Sequence, residues 1–321
     1  MKHDETYYID GPVPETPDPT EYPAPWTNTR VVGKPRSRID GYERLSGTAV
    51  YPSDVMLPDM LYGAVLRCPH AHARVLEVDT SAAAEMPGVA VVLSASDPEA
   101  DITWPYSRGD SSKLFDPVIR FEGDTVAAVA AETPHQARDA LAAIRVRYDV
   151  LPHVTNETSA LAEGAPLVGG EGNRQGEPNT HERGDIAAGF AQADAIIEKR
   201  FRTEYEIHNP MELHGCVARW DGDRLTVWES LQGVYVSQGR IAQLLGLPLA
   251  NVRVIGHYMG GGFGSKLETG KYTVIAAILA RMAARSVKIF LPREDCMTVT
   301  GNRPGNTMRI KIGATKDGKL T

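Results

Sequence analysis

The 321-residue sequence is poor in cysteine: it holds three, Cys68, Cys216 and Cys296, far apart along the chain. That spacing supports neither an even disulfide framework nor a CxxC cradle for zinc or an iron–sulfur cluster, so reduced, mostly buried thiols are expected. Positive charge is also in deficit. With 34 Lys and Arg against 41 Asp and Glu, the formal charge is −7, which excludes the basic face that grips a nucleic-acid backbone. No apolar run approaches the roughly 18 residues of a membrane span; the longest apolar-rich stretch, near Tyr272 to Ala284, is short and interrupted. The opening residues MKHDETYYIDGPVPETPDPTEYPAPW have neither the basic nor the apolar segment of a secretory signal. The chain is therefore expected in the cytoplasm, export by a partner subunit's signal being the one alternative. No GxSxG elbow and no HExxH pair occurs, which removes two common hydrolase chemistries.

What is present is an ordinary core-forming composition, 42% hydrophobic and 23% charged, in a chain long enough for two domains at about 100–200 residues each. Residues 1–35, with six prolines between Pro12 and Pro25, read as an extended arm. Residues 36–152 read as a strand-and-helix domain. Strands are predicted at Leu61 to Leu66, Ala73 to Val78, Val89 to Ser94, Asp124 to Ala131 and Arg145 to Tyr148. A short helix is predicted around Ser81 to Glu85, and a longer one behind the N-cap Thr133 with Pro134 at its start. Residues 153–185, dense in Gly, Glu, Asn and Pro, read as a linker. In residues 186–321, Ala195 to Thr203 and Cys216 to Trp220 are expected as strands of one sheet, and Asp221-Gly222-Asp223 as a hairpin turn into Leu225 to Glu229. Helices are predicted at Ser237 to Leu245 and Thr273 to Arg285, and strands at Asn251 to Ile255, Ser286 to Phe290 and from Met308. The turn Lys316 to Lys319 comes just before Thr321, so the return strand and the rest of this domain are expected beyond it, in a longer parent chain or another subunit. The fold class is α+β.

The sharpest local feature is Met259-Gly260-Gly261-Gly262-Phe263-Gly264-Ser265-Lys266, between a predicted strand and a predicted helix. Clustered glycines let backbone approach a ligand closely, and a helix start offers N–H donors to an anion. The run fits neither the P-loop nor GxGxxG, because Ser265 occupies the decisive position. His208-Asn-Pro-Met-Glu212-Leu-His214 gathers two imidazoles and a carboxylate, yet Pro210 and the missing third ligand argue for hydrogen bonding beside a site rather than zinc. The same holds for Cys68-Pro-His70-Ala-His72. Gln232 and Gly233, just after a strand, face the glycine loop if their strand ends are neighbours.

These residues resemble a known family. Ile39 to Tyr51, Leu61-Tyr-Gly-Ala-Val-Leu-Arg-Cys-Pro-His-Ala-His-Ala-Arg-Val75, Met86-Pro-Gly-Val89 and Phe121 to Pro152 look like the α/β hammerhead domain of the molybdenum hydroxylases, the xanthine dehydrogenase and aldehyde oxidase family. The Gly260 to Lys266 loop resembles that family's GGGFG segment. The likeness implies a hammerhead domain followed by the first part of a molybdopterin-binding domain. It carries Gln232, Gly233, Gly261, Gly262, Phe263 and Gly264 over as cofactor-binding residues, and His208 and Glu212 as residues near the site, none a direct metal ligand. The resemblance places the catalytic glutamate beyond Thr321, so no catalytic residue is expected in this chain.

By the same resemblance, the implied enzyme is the molybdenum subunit, or its N-terminal part, of an oxidoreductase. Its reaction inserts a water-derived oxygen into an aldehyde or an aromatic N-heterocycle. The implied cofactor is molybdopterin, bare or as its cytosine dinucleotide. The implied partners are the remainder of the molybdenum subunit, an iron–sulfur subunit and an FAD subunit, with a small-molecule substrate and no nucleic acid. Leu267 follows Lys266 where purine-using members have glutamate, and Glu268 comes one later, which favours an aldehyde over a purine. A reductive aromatic dehydroxylase of the same architecture and a non-catalytic piece of a split molybdenum subunit remain the alternatives.

Overall fold

The computed structural model describes residues 29–105, 111–170 and 172–321, so most of the expected proline-rich arm lies outside the described residues. The described residues fall into two compact units, one ending at Ala49 and one running from Val50 to Thr321. In the first, helix α1 (Gly41–Ser46) ends on Gly47 in the left-handed conformation, and the Glu43 carbonyl accepts from Thr48 and Ala49 at 3.0 Å each. Asp40, at its start, pairs with Arg38 and, at 2.7 Å, with Arg44. These two guanidinium groups hold its carboxyl down at about 2.

The second unit begins with β1 (Leu61–Arg67), β2 (Ala73–Asp79), helix α2 (Ser81–Ala84) and β3 (Val89–Ser94). Then come β4 (Thr103–Pro105), β5 (Ser111–Lys113), β6 (Val118–Ile119), β7 (Thr125–Ala131), helix α3 (Pro134–Ala143) and β8 (Arg145–Val150). Short helices α4 (Glu157–Ala160) and α5 (Ile186–Ala191) precede β9 (Ala195–Thr203), β10 (Gly215–Asp221), β11 (Arg224–Glu229), helix α6 (Val234–Leu245) and β12 (Val252–Ile255). Helix α7 (Lys271–Ala283), β13 (Val287–Phe290), helix α8 (Arg293–Thr298) and β14 (Asn306–Ala314) complete it.

Seven strands form one sheet in the order β12-β11-β10-β13-β1-β7-β3. Its seam is the parallel pair β1–β13, with Leu61 opposite Val287 and Tyr62 opposite Lys288. This pair carries the sheet from the segment expected as one domain into the segment expected as the next. Strand β7 is a continuous apolar run because both its faces are covered. Ala128 and Ala130 join the core under α7, while Ala127 and Val129 join a second core with Ala140 and Ile144 of α3 and its end. Helix α7 is buried from Tyr272 through Ala280, apolar on every side as a helix inside a core must be.

One expectation is corrected. Ala195 to Thr203 and Cys216 to Trp220 are not in one sheet: β9 pairs with β14 in a separate antiparallel ribbon, from Ala195 opposite Ala314 to Thr203 opposite Asn306. Every residue of β9 is exposed, whereas Gly215 to Ala218 of β10 are buried. Burial assigned the two strands to different layers, and the partner of β9 lies a hundred residues further on. The predicted turn at Lys316 to Lys319 forms, with Gly318 N donating to Thr315 O at 2.9 Å and a first bridge from Ala314 to Leu320. The segment between α4 and α5 has local order of its own: the Asn173 amide accepts from Val168 N at 2.8 Å and donates to the Ala160 and Pro166 carbonyls at 2.9 Å.

Candidate functional site

The glycine loop runs between β12 and α7, and Gln232, in the turn from β11 to α6, is its clamp. Gln232 N donates to Lys266 O at 2.7 Å, and Gln232 Oε1 accepts from Gly264 N at 2.8 Å and Lys266 N at 3.3 Å. A Cβ at Gly262 would collide with that same Oε1, and Gly264 sits at φ +103°, where a side chain is strained. With Oε1 turned to the loop, the amide Nε2 of Gln232 donates to none of the described residues. Phe263 is 71% exposed at φ +53° beside it. Gly261 packs on Pro210, and Gly233 is the N-cap of α6. All six expected cofactor-facing residues therefore lie in one assembly.

Beneath the loop, Glu212 is a strut. Its Oε2 accepts from Gly260 N and Ser230 Oγ at 2.7 Å each, and from Lys266 Nζ at 3.0 Å. Lys266 also donates to Glu212 O at 3.0 Å, and its side chain has no exposure at all. Burial pulls the Lys266 ammonium below its usual range, and Glu212 opposes that pull. A buried pair of this kind depends on further hydrogen bonds; here they converge on Oε2, while Glu212 Oε1 is buried without a partner among the described residues.

The two histidines of the same segment part company. Ser265 Oγ gives its only proton to Gly262 O at 2.8 Å, so it accepts from His214 Nε2 at 2.9 Å, which fixes the His214 tautomer and leaves Nδ1 as a buried acceptor without a partner. Burial, with Lys266 nearby, pushes His214 down to about 4, and it is neutral at pH 7. The imidazole of His208 lies against Gly264, its Nε2 within 3.6 Å of where a Cβ would stand, and its buried Nδ1 has no partner. Arg293 at the start of α8 pins the intervening turn, donating to Asn209 Oδ1, Pro210 O and Met211 O at 2.7–3.0 Å. His72 bonds Pro152 O at 2.7 Å, and His70 meets the Tyr148 ring edge-on. Among the described residues no cluster of three or more His, Cys, Asp or Glu side chains could hold a metal ion, and all three cysteines are buried and free.

Two features escaped the sequence reading. Glu229 is wholly buried, accepting from Ser237 Oγ and from Thr273 Oγ1, so it ties the first turns of α6 and α7 together, and burial pushes its carboxyl up. In the sequence it is an acidic residue at a strand end, with nothing to separate it from a solvated one. The second is a cavity of about 610 Å³ bordered by Gly264, Ser265, His208, Trp104, Phe121 and Arg240. Trp104 in β4 and Phe121 in the loop after β6 stand more than a hundred residues before the glycine loop, a distance no local pattern bridges.

Residues 171–321 match the molybdopterin cofactor-binding domain, and residues 46–152 match the aldehyde oxidase and xanthine dehydrogenase a/b hammerhead domain. The chain is 35% identical to the nicotinate dehydrogenase large molybdopterin subunit of Eubacterium barkeri, over 91% of this chain and 68% of that protein. It belongs to the xanthine dehydrogenase and aldehyde oxidase family. Other members include the aldehyde oxidoreductase molybdenum-binding subunit of Escherichia coli K12, 33% identical, of which this chain spans 40%. Among solved structures, reconstituted CO dehydrogenase from Oligotropha carboxidovorans superposes with a TM-score of 0.82 at 31% identity, covering 90% of this chain and 38% of the other. Quinoline 2-oxidoreductase from Pseudomonas putida 86 gives 0.78 at 27%, covering 88% and 37%. The site fits the group that this family binds. An anionic oxo-metal centre calls for a neutral N–H donor and for backbone that no side chain shields; Gln232 Nε2 offers the first and Gly264 the second, the Gly264 N–H itself being spent on Gln232 Oε1.

Proposed function

We propose that this chain forms the cofactor-facing wall of the molybdenum subunit of a hydroxylase that acts on an aldehyde or an aromatic N-heterocycle. The single observation behind the reading is the Gln232 clamp, whose Oε1 is spent on Gly264 N and Lys266 N and whose Nε2 is left to donate outward. Molybdopterin, when bound there, supplies the two-electron redox chemistry of molybdenum. The protein's share is positional. Gln232 and the backbone at Phe263 and Gly264 orient the group by hydrogen bonding and close approach, with no side chain at Gly264 to displace it. Glu212 and Lys266 hold the loop rigid, as a shell of supporting hydrogen bonds does for metal ligands. Neutral His214 keeps Ser265, and through it Gly262 O, in place without adding charge. The catalytic base, iron–sulfur clusters and FAD are assigned to the rest of the subunit and to partner subunits. The relatives' names support the oxidative reading, and Leu267 after Lys266 supports an aldehyde over a purine.

The test is molybdenum analysis of the chain co-purified with its partners, on wild type, Gln232→Ala and Gly264→Val. About one molybdenum per wild-type complex is expected, with turnover abolished in both variants and subunit association intact. Full activity in both variants would refute the placement of the cofactor. A wild-type complex free of molybdenum would point to a structural role for the chain.

A further inference from the structure

Three cationic side chains border the cavity beside the glycine loop: Arg67, Lys271 and Arg240. Two of them are neutralised in buried pairs. Arg67 Nε bonds Asp295 Oδ2 at 2.8 Å, and Lys271 Nζ bonds Asp124 Oδ1 at 2.9 Å. Arg240 has no carboxylate partner among the described residues. Its guanidinium lies over the Trp104 ring, 5.5 Å from the centroid, and Nη2 donates to Pro105 O at 2.8 Å, while Nε is buried and donates to nothing described. The side chain is thus held in one place by a ring and a carbonyl, with one N–H of its fork left without an acceptor. Nη1, which donates to none of the described residues and is not among the buried orphaned atoms, is the edge of the fork that an anion in the cavity meets. The other carboxylate bordering the cavity, Glu268, is exposed and forms no ion pair with it. Trp104, Phe121 and Tyr272 give the cavity aromatic walls, and about 610 Å³ is ample for a one-ring compound.

We propose that Arg240 is a specificity residue, and that the substrates this cavity selects are aromatic compounds carrying a carboxylate. The guanidinium fork matches the two oxygens of a carboxylate, and its stacking on Trp104 keeps that fork oriented. This inference rests on the proposed hydroxylase function and takes the cavity beside the glycine loop as the place of its substrate.

The experiment uses the assembled complex and does not depend on turnover. Calorimetric titration with benzoate and with benzamide compares two rings of the same size that differ in charge. Wild type should bind benzoate about tenfold more tightly, the worth of a charge-assisted pair, and the preference should shrink at high salt. Arg240→Gln should erase it, and Arg240→Lys, which keeps the charge but loses the fork, should retain part of it. Equal wild-type affinities for the two compounds, or an Arg240→Gln complex that still prefers benzoate, would overturn the proposal. If Arg240→Gln does not fold, the wild-type comparison and Arg240→Lys still decide. A kinetic arm compares 4-formylbenzoate with benzaldehyde: Arg240→Gln should lower kcat/KM about tenfold for the first, through KM, and leave the second unchanged. Loss on both substrates alike would overturn it. A wild-type complex that turns over neither aldehyde would count against the hydroxylase reading, and the titration would still judge Arg240.

Discussion

At the scale of single residues, the site is a set of groups each committed to one partner, and that makes substitutions there interpretable. His214 is neutral in the folded chain because burial pushes it down to about 4 from an ordinary value of 6.5. Between those two values the unfolded chain binds a proton that the folded chain refuses. Stability is therefore full above pH 6.5, falls as pH drops toward 4, and levels off below. The loss is on the order of 3 kcal/mol at most. Urea titrations across that range should show the slope, and His214→Gln should flatten it. Lys266→Met removes one partner of a buried pair and strands the Glu212 carboxylate, so a cost of about 3–5 kcal/mol is expected in denaturant midpoints. Of these residues, the glycine loop stood out in the sequence because glycine spacing is a local signal, whereas Gln232 was carried by the family resemblance. Glu212 and Lys266 stood within the two motifs, Glu212 as a residue near the site, but their pairing was not legible, since the bond between them spans 54 residues.

At the scale of elements, boundaries were readable wherever a local cap sets them. Thr133 accepts from Gln136 N at 3.2 Å and starts α3 where Pro134 predicted. Thr133→Ala should lower stability by about 1 kcal/mol, as lost N-caps do. Helix α7 ends at Ala284, which holds φ +49° where glycine is at ease. Ala284→Gly is expected to raise the thermal midpoint, by relief of roughly 1 kcal/mol of left-handed strain partly offset by glycine's backbone entropy. The element that misled was β9. Its residues announced a strand, but a strand reading says nothing about which sheet takes it, and here the partner was β14.

At the scale of the whole second unit, fastening is done by a few long-range contacts. Lys271 at the start of α7 is paired with Asp124 just before β7, and Arg67 of β1 with Asp295 of α8, all four side chains largely buried. Asp124→Ala and Asp295→Ala should each cost about 3–5 kcal/mol, measured as a drop in the unfolding midpoint. Because each pair joins segments more than a hundred residues apart, unfolding followed by two probes, such as Trp104 and Trp220 fluorescence, should give coincident transitions. The insertion of β13 between β10 and β1 also dictates an order of events during synthesis. Strands β1, β7 and β3 are made early and β10 to β12 later, yet the two groups meet only across β13. The two halves of the central sheet therefore cannot join on the ribosome until Val287–Phe290 has emerged, so this four-residue strand closes the sheet.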